Sequence, residues 1–293
     1  MDSTRYYKST GQAPFGAVVS ASQFGIFAAI ICGALYGIIV CYNPIIYINF
    51  LGALVLPLAV GAALKTRFHS GKIRSESVKF WMGGFCGLLA VYCAWWGWLV
   101  ALSEWDFIFL NPVDLPAIIS GLAELGVWDM KGWTPTGWQL YLIWAIEAGV
   151  IIVVSTGAGL GDEIPFCEDC DEWTEPVDNA IPIPLSDVDG LRESLEAEEY
   201  DVLLDAIGEH VTPSHHFLVK TYKCPDCDES CYLTISELTH SGKEDEEESI
   251  DAVIENLVVD LSVVEDISAR AKQPIASASV EHDPSDVPDF DTE

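Results

Sequence analysis

Positive charge is scarce in this chain of 293 residues: 14 Lys and Arg stand against 45 Asp and Glu, for a formal charge of −31. That balance excludes a basic nucleic-acid binder, which needs clustered Lys and Arg to neutralise phosphates. Nine cysteines are too few for a disulfide mini-protein of this length, and 23 glycines are too few for collagen. Half of the residues are apolar, which excludes a wholly disordered chain. High acidity and high apolarity seldom share one soluble domain, and here they separate along the sequence. Residues 1–160 hold 8 cations and 8 acids, whereas residues 161–293 hold 6 and 37. One half reads as membrane-embedded and the other as acidic and soluble.

Lys and Arg are missing altogether from the apolar stretches 16–42, 45–64, 80–102 and 138–160. Each has the length of about 20 helical residues that a bilayer core takes. Asn43-Pro44 divides the first two, so a helical hairpin is expected there. The connection 65–79 carries Lys65, Arg67, Lys72, Arg74 and Lys79 against Glu76 alone, while 103–137 carries Glu104, Asp106, Asp114, Glu124 and Asp129 against Lys131. Cytoplasmic connections are enriched in cations. The expected topology is therefore four spans of a cell-membrane protein with both termini cytoplasmic. Residues 1–15 form the N-terminal segment, 16–160 the transmembrane domain, and 103–137 the outer connection. No small-residue cleavage site follows the first span, which reads as a retained anchor.

Nine of the ten tryptophans lie in this half, and Trp105, Trp128, Trp133 and Trp138 bracket the outer connection as an interfacial belt. Residues 113–127 read as a short surface helix, with a re-entrant segment as the alternative. Glycines recur four apart at Gly33/Gly37, Gly83/Gly87 and Gly157/Gly161. That spacing allows close helix approach, either within one bundle or between two copies of the chain. Cys32, Cys41, Cys86 and Cys93 read as small packing residues. Glu147, the one acid inside the spans, is either hydrogen-bonded to a neighbouring Tyr, Trp or Ser or part of a proton or cation pathway.

The acidic half, residues 161–272, contains two Cys-x-x-C pairs, Cys167/Cys170 and Cys224/Cys227. In a reducing compartment such pairs are thiolate ligands rather than disulfides, and four of them form a tetrahedral metal set. The second pair lies between strand-like residues 217–222 and 232–235. Cys224-Pro225-Asp226-Cys227 between two strands resembles the zinc-ribbon superfamily, which implies a small α+β domain with structural zinc on Cys167, Cys170, Cys224 and Cys227. Iron suits the same sulfurs. The 53 residues from Asp171 to Lys223 split the ribbon, and Cys231, His215 and His216 remain alternative ligands.

Within that gap, 181–210 reads as a helical insertion: a proline-rich link, N-caps at Ser186 or Asp189, and apolar residues through Ile207. Residues 243–248 read as a charged loop. Ile250, Val253, Ile254, Leu257, Val258 and Leu261 have helical spacing, with a strand at 256–261 as the alternative. Ser262 and Glu265 offer a capping box for a further short helix. Pro, Ser and Asp dominate 273–293, the composition of a disordered acidic tail.

Tyr6-Tyr7, Gly11 and Pro44-x-x-Tyr47-x-Asn49-Phe50-Leu51-Gly52 give the first 65 or so residues a resemblance to a group of uncharacterised bacterial multi-pass membrane proteins. It implies location and no activity. Nucleophile elbows, P-loops, zinc-protease helices and dinucleotide fingerprints are missing. The expectation is a non-enzymatic membrane protein whose zinc-binding domain is a structural or protein-interaction module. The alternative is a small transporter or channel component using Glu147. Its expected partners are the bilayer, a cytoplasmic protein or a second copy of the chain, and not nucleic acid.

Overall fold

A computed structural model describes residues 5–106, 111–127, 132–160, 164–184, 187–212, 215–239 and 249–273. Trp128, Gly161, Ser186, the charged loop 243–248 and the tail from 274 lie outside the described residues. The chain divides into two compact units, residues 9–163 and residues 1–8 with 164–293.

The first unit contains α1 (Phe15–Tyr42), α2 (Ile46–Ser70), α3 (Glu76–Leu102), α4 (Leu115–Leu125) and α5 (Trp138–Leu160). All but α4 are long and apolar enough to cross a membrane. Asn43 and Pro44 turn α1 into α2, and the Ser75 hydroxyl caps α3 by accepting from the Val78 amide. Both α1 and α5 pack against α2 and α3, so α1 and α5 take opposite corners. Small residues line these crossings. A side chain on Gly33 would meet the Ala90 carbonyl at 2.5 Å, and one on Gly37 would strike Ala94 and the Trp98 backbone nitrogen. Gly83 and Gly87 abut Thr156 and Ile152 in the same manner. These two Gly-x-x-x-Gly pairs therefore pack within the bundle, whereas Gly157 faces open space. Large side chains such as Phe27, Leu58 and Val153 point outward instead. At one end, Gln12 accepts from the Arg74 backbone amide at 2.8 Å, and the Ser9 hydroxyl donates to the Arg74 carbonyl.

The second unit is α+β. Its small hairpin is β1 (Phe166–Cys167) with β2 (Glu172–Trp173). Its five-stranded antiparallel sheet has β5 (His215–Lys223), β6 (Cys231–Thr239) and β7 (Ser249–Val259) in succession, with β3 (Glu175–Pro176) and β4 (Ile181–Ile183) sharing the free edge of β5. Helices α6 (Val188–Glu196), α7 (Asp201–Ala206) and α8 (Leu261–Ala271) complete it. Leu191, Leu195, Leu203, Phe217, Leu233, Ile235, Ile254, Leu257 and Ile267 form its buried core.

Three expectations are corrected here. Residues 250–259 are strand, not helix. Relative to β6, the register takes one extra residue of β7 between Leu257 and Ile254 and another between Ile254 and Ala252. These irregularities break the two-residue alternation and mimic helical spacing. The insertion is two helices rather than one, broken around Glu198 in the left-handed region at φ 66, and its cap is Asp187, which accepts from the Gly190 amide, not Asp189. Helix α8 starts at Leu261, which places Ser262 inside the helix rather than at its cap. An unforeseen strand-like segment also joins this unit. Tyr6 bridges Leu257, the Tyr7 amide donates to Asn256, and the Val258 amide donates to Arg5.

Candidate metal centre

Cys167 closes β1, and Cys170 lies in the turn that leads to β2. Asp171, in the left-handed region at φ 52, completes that tight turn, and the Cys170 amide donates to the Cys167 sulfur at 3.4 Å. Cys224 follows β5, and Cys227 lies in the connection to β6, whose first residue, Cys231, pairs with Lys223. The Cys224 amide donates to the Ser230 carbonyl at 2.9 Å, which ties this second knuckle. Lys223 and Asp228 form an ion pair across it at 2.6 Å.

The structure brings Cys167, Cys170, Cys224 and Cys227 together, with all four sulfurs within 4.8 Å of one another. A tetrahedral ion with sulfurs at about 2.3 Å spaces those sulfurs about 3.8 Å apart. Cys167 Sγ and Cys227 Sγ are 3.7 Å apart. Cys167 and Cys224 are buried and the other two half-buried. Four soft sulfurs could therefore hold a metal ion here.

The surroundings already favour thiolate at one position. Amides of Glu229 and Ser230 pull Cys227 down to about 7. Burial pushes Cys224 up, and the hydrogen bonds that Cys170 shares with Cys227 and Cys167 push Cys170 up as well. An ion would displace those shared protons.

The alternative ligands lie elsewhere. Cys231 belongs to the apolar core, and its thiol faces the Asp228 carbonyl. His215 pairs with Glu237 at 2.7 Å, at the end of β5 far from Cys224. His216 is eight residues from Cys224, about 26 Å along a strand.

Several supporting residues carry no sequence signal. The Ser230 hydroxyl donates to the Cys167 sulfur at 3.1 Å, linking the two knuckles. Thr174 donates to the Pro165 carbonyl through both its amide and its hydroxyl. The Tyr232 hydroxyl donates to the Phe166 carbonyl, Phe166 meets Trp173 edge to face, and Tyr7 meets Tyr232 likewise. In the helical unit, Glu147 accepts from the Tyr36 hydroxyl at 2.5 Å. No family model, curated protein or solved structure matches the chain.

Proposed function

We propose that this chain is a multi-pass protein of the cell membrane whose cytoplasmic domain, tied by a structural zinc ion in the manner of a split zinc ribbon, is a protein-interaction module. The observation that carries this reading is the convergence of four thiols from two knuckles to within 4.8 Å, in a chain that also has four helices of spanning length. Iron fits the same sulfurs, and the metal content of the purified protein separates the two. The domain acts by binding and not by catalysis, since a four-thiolate zinc keeps no open position for water or substrate. Its 37 acids in residues 161–293 favour a protein partner with a cationic surface and repel phosphates and anionic headgroups.

Two contacts support the orientation. The segment at Arg5 to Tyr7 belongs to the same compact unit as residues 164–293, which favours both ends of the chain on one side. Residues Ser9 and Gln12 meet Arg74, which favours the cationic connection at the N-terminal end of α1. Single cysteine reporters at Ser70 and Ser120, scored in intact cells above the native-cysteine background, test it. Ser120 should react with an impermeant reagent and Ser70 should not. The reverse pattern inverts the topology and removes the reducing compartment on which the zinc assignment depends.

A further inference from the structure

Glu147 is the sole Asp or Glu of the apolar stretches 16–42, 45–64, 80–102 and 138–160, and those stretches hold no Lys or Arg. A carboxylate at such depth is costly and marks a functional site by default. Its partner, Tyr36, reaches it from the opposite corner of the bundle and is 9% exposed. The ring fits there because residue 52 is glycine: a Cβ at Gly52 would lie 2.8 Å from it. The same Tyr36 oxygen is 3.3 Å from the Asn49 carbonyl. The Asn49 side chain in turn accepts from Asn43 at 2.7 Å, at the half-exposed turn between α1 and α2. A polar line thus runs from Glu147 through Tyr36 and Asn49 to the end of the bundle. It stops at Glu147 in the other direction. The next residue on that face of α5 is Ile151, buried in the same apolar cluster as Leu64, Cys86 and Ala90.

One hydroxyl has one hydrogen and here has two acceptors. We propose that Glu147, Tyr36 and the Asn49 carbonyl form a binding site for one exchangeable proton, reached from the α1–α2 turn, and not a path through the bundle. With the proton bound, the Glu147 carboxyl donates to the Tyr36 oxygen, whose own hydrogen turns to the Asn49 carbonyl. With the proton released to water, Tyr36 turns its hydrogen to the Glu147 carboxylate, and the Asn49 carbonyl keeps its place in the first turns of α2. Each state leaves the phenol and the carboxyl partnered, so the proton can come and go without repacking. A calcium-like or magnesium-like cation is the poorer occupant, because such ions take about six or more oxygens and fewer converge here. The other titratable residues within about two turns of the site on these helices are Cys32, Cys41 and Tyr42 of α1, Tyr47 of α2, Tyr92 and Cys93 of α3, and Tyr141 of α5.

Infrared difference spectra of the full chain in lipid nanodiscs, taken between mildly alkaline and mildly acidic pH, test the proposal. The wild type should gain one carboxyl C=O band on acidification that is missing from Glu147→Gln. Tyr36→Phe keeps the ring over Gly52 and removes the hydroxyl, so it should move that band to higher frequency. A Glu147 band that ignores pH, that never appears, or that is unmoved in Tyr36→Phe overturns the site. In sealed vesicles with a pH gradient, proton flux should equal that of Glu147→Gln. A flux that Glu147→Gln abolishes would instead establish a through path.

Discussion

Replacing both Cys167 and Cys170 by serine should empty the metal centre and open the first knuckle while leaving the sheet folded. What holds this knuckle apart from metal is small. Phe166 is fully buried, which contributes about 2–3 kcal/mol. The two hydrogen bonds from Thr174 to Pro165 add about 1 kcal/mol each. The Tyr232 hydroxyl on the Phe166 carbonyl and the Phe166–Trp173 ring contact add about 1 kcal/mol each, and a structural four-thiolate zinc, at about 10–16 kcal/mol, exceeds the whole. The sheet differs, because Phe217, Leu233, Ile235 and Leu257 are buried in a core that contains none of the four ligands. In the double variant the full-length protein should fall from one zinc per chain to none. Hydrogen exchange at the Trp173 and Thr174 amides should quicken by at least about a thousandfold, the equivalent of about 4 kcal/mol of local opening. The amides of β5 and β6 should keep their protection. Retained zinc would show that another ligand set binds it. Loss of zinc with unchanged exchange at these amides would show that the metal does not hold the knuckle, and collapse of β5 and β6 would refute the independence of the core.

Gly37→Ala puts a methyl group against the Ala94 carbonyl and the Trp98 nitrogen. It should cost about 1–3 kcal/mol through overpacking, whereas Gly157→Ala, in open space, should gain up to about 1 kcal/mol from helix propensity. Thermal unfolding of the full chain in one detergent should rank the two, and a Gly37→Ala midpoint at or above that of Gly157→Ala would sink the account of the α1–α3 crossing. The phenol of Tyr6 is pushed up to about 12, first by burial and then by its hydrogen bond to Glu196 and the charge beside it. A raised value means that its contribution is complete below about 10, where an unfolded tyrosine ionises, and is lost as pH rises through about 12. Nuclear magnetic resonance of ring-labelled Tyr6 should show titration near the upper value, and titration near 10 would mean that the N-terminal segment does not dock through this hydroxyl.

Much of the molecule was legible because it is written locally. A span needs only some twenty apolar residues in a row, so helices α1, α2, α3 and α5 follow from hydropathy, and Asn43-Pro44 marks their first turn without knowledge of any neighbour. A Cys-x-x-C turn aims two sulfurs by its own backbone, so each half of the four-cysteine cluster is visible in four residues. The Gly-x-x-x-Gly pairs showed where close approach could occur but not which helix would approach. That choice rests on Ala90, Ala94 and Ile152, which are ordinary apolar residues in the sequence.

Only the tertiary structure decided the rest. Whether two knuckles 53 residues apart meet at one point depends on β1, β5 and β6 converging, and Ser230 and Thr174 enter the site through that convergence alone. Residues 250–261 carry helical spacing, yet 250–259 pair with β6, because the ladder and core outweigh local periodicity and the register shifts absorb the mismatch. Tyr36 and Glu147 are 111 positions apart, and Arg5 to Tyr7 lie some 250 residues from the strand they complete. Hydropathy and turn chemistry act between neighbours in the chain and can be read from it. Partnership between distant polar groups is settled by which surfaces fit when the elements pack, and no single stretch of sequence holds that information.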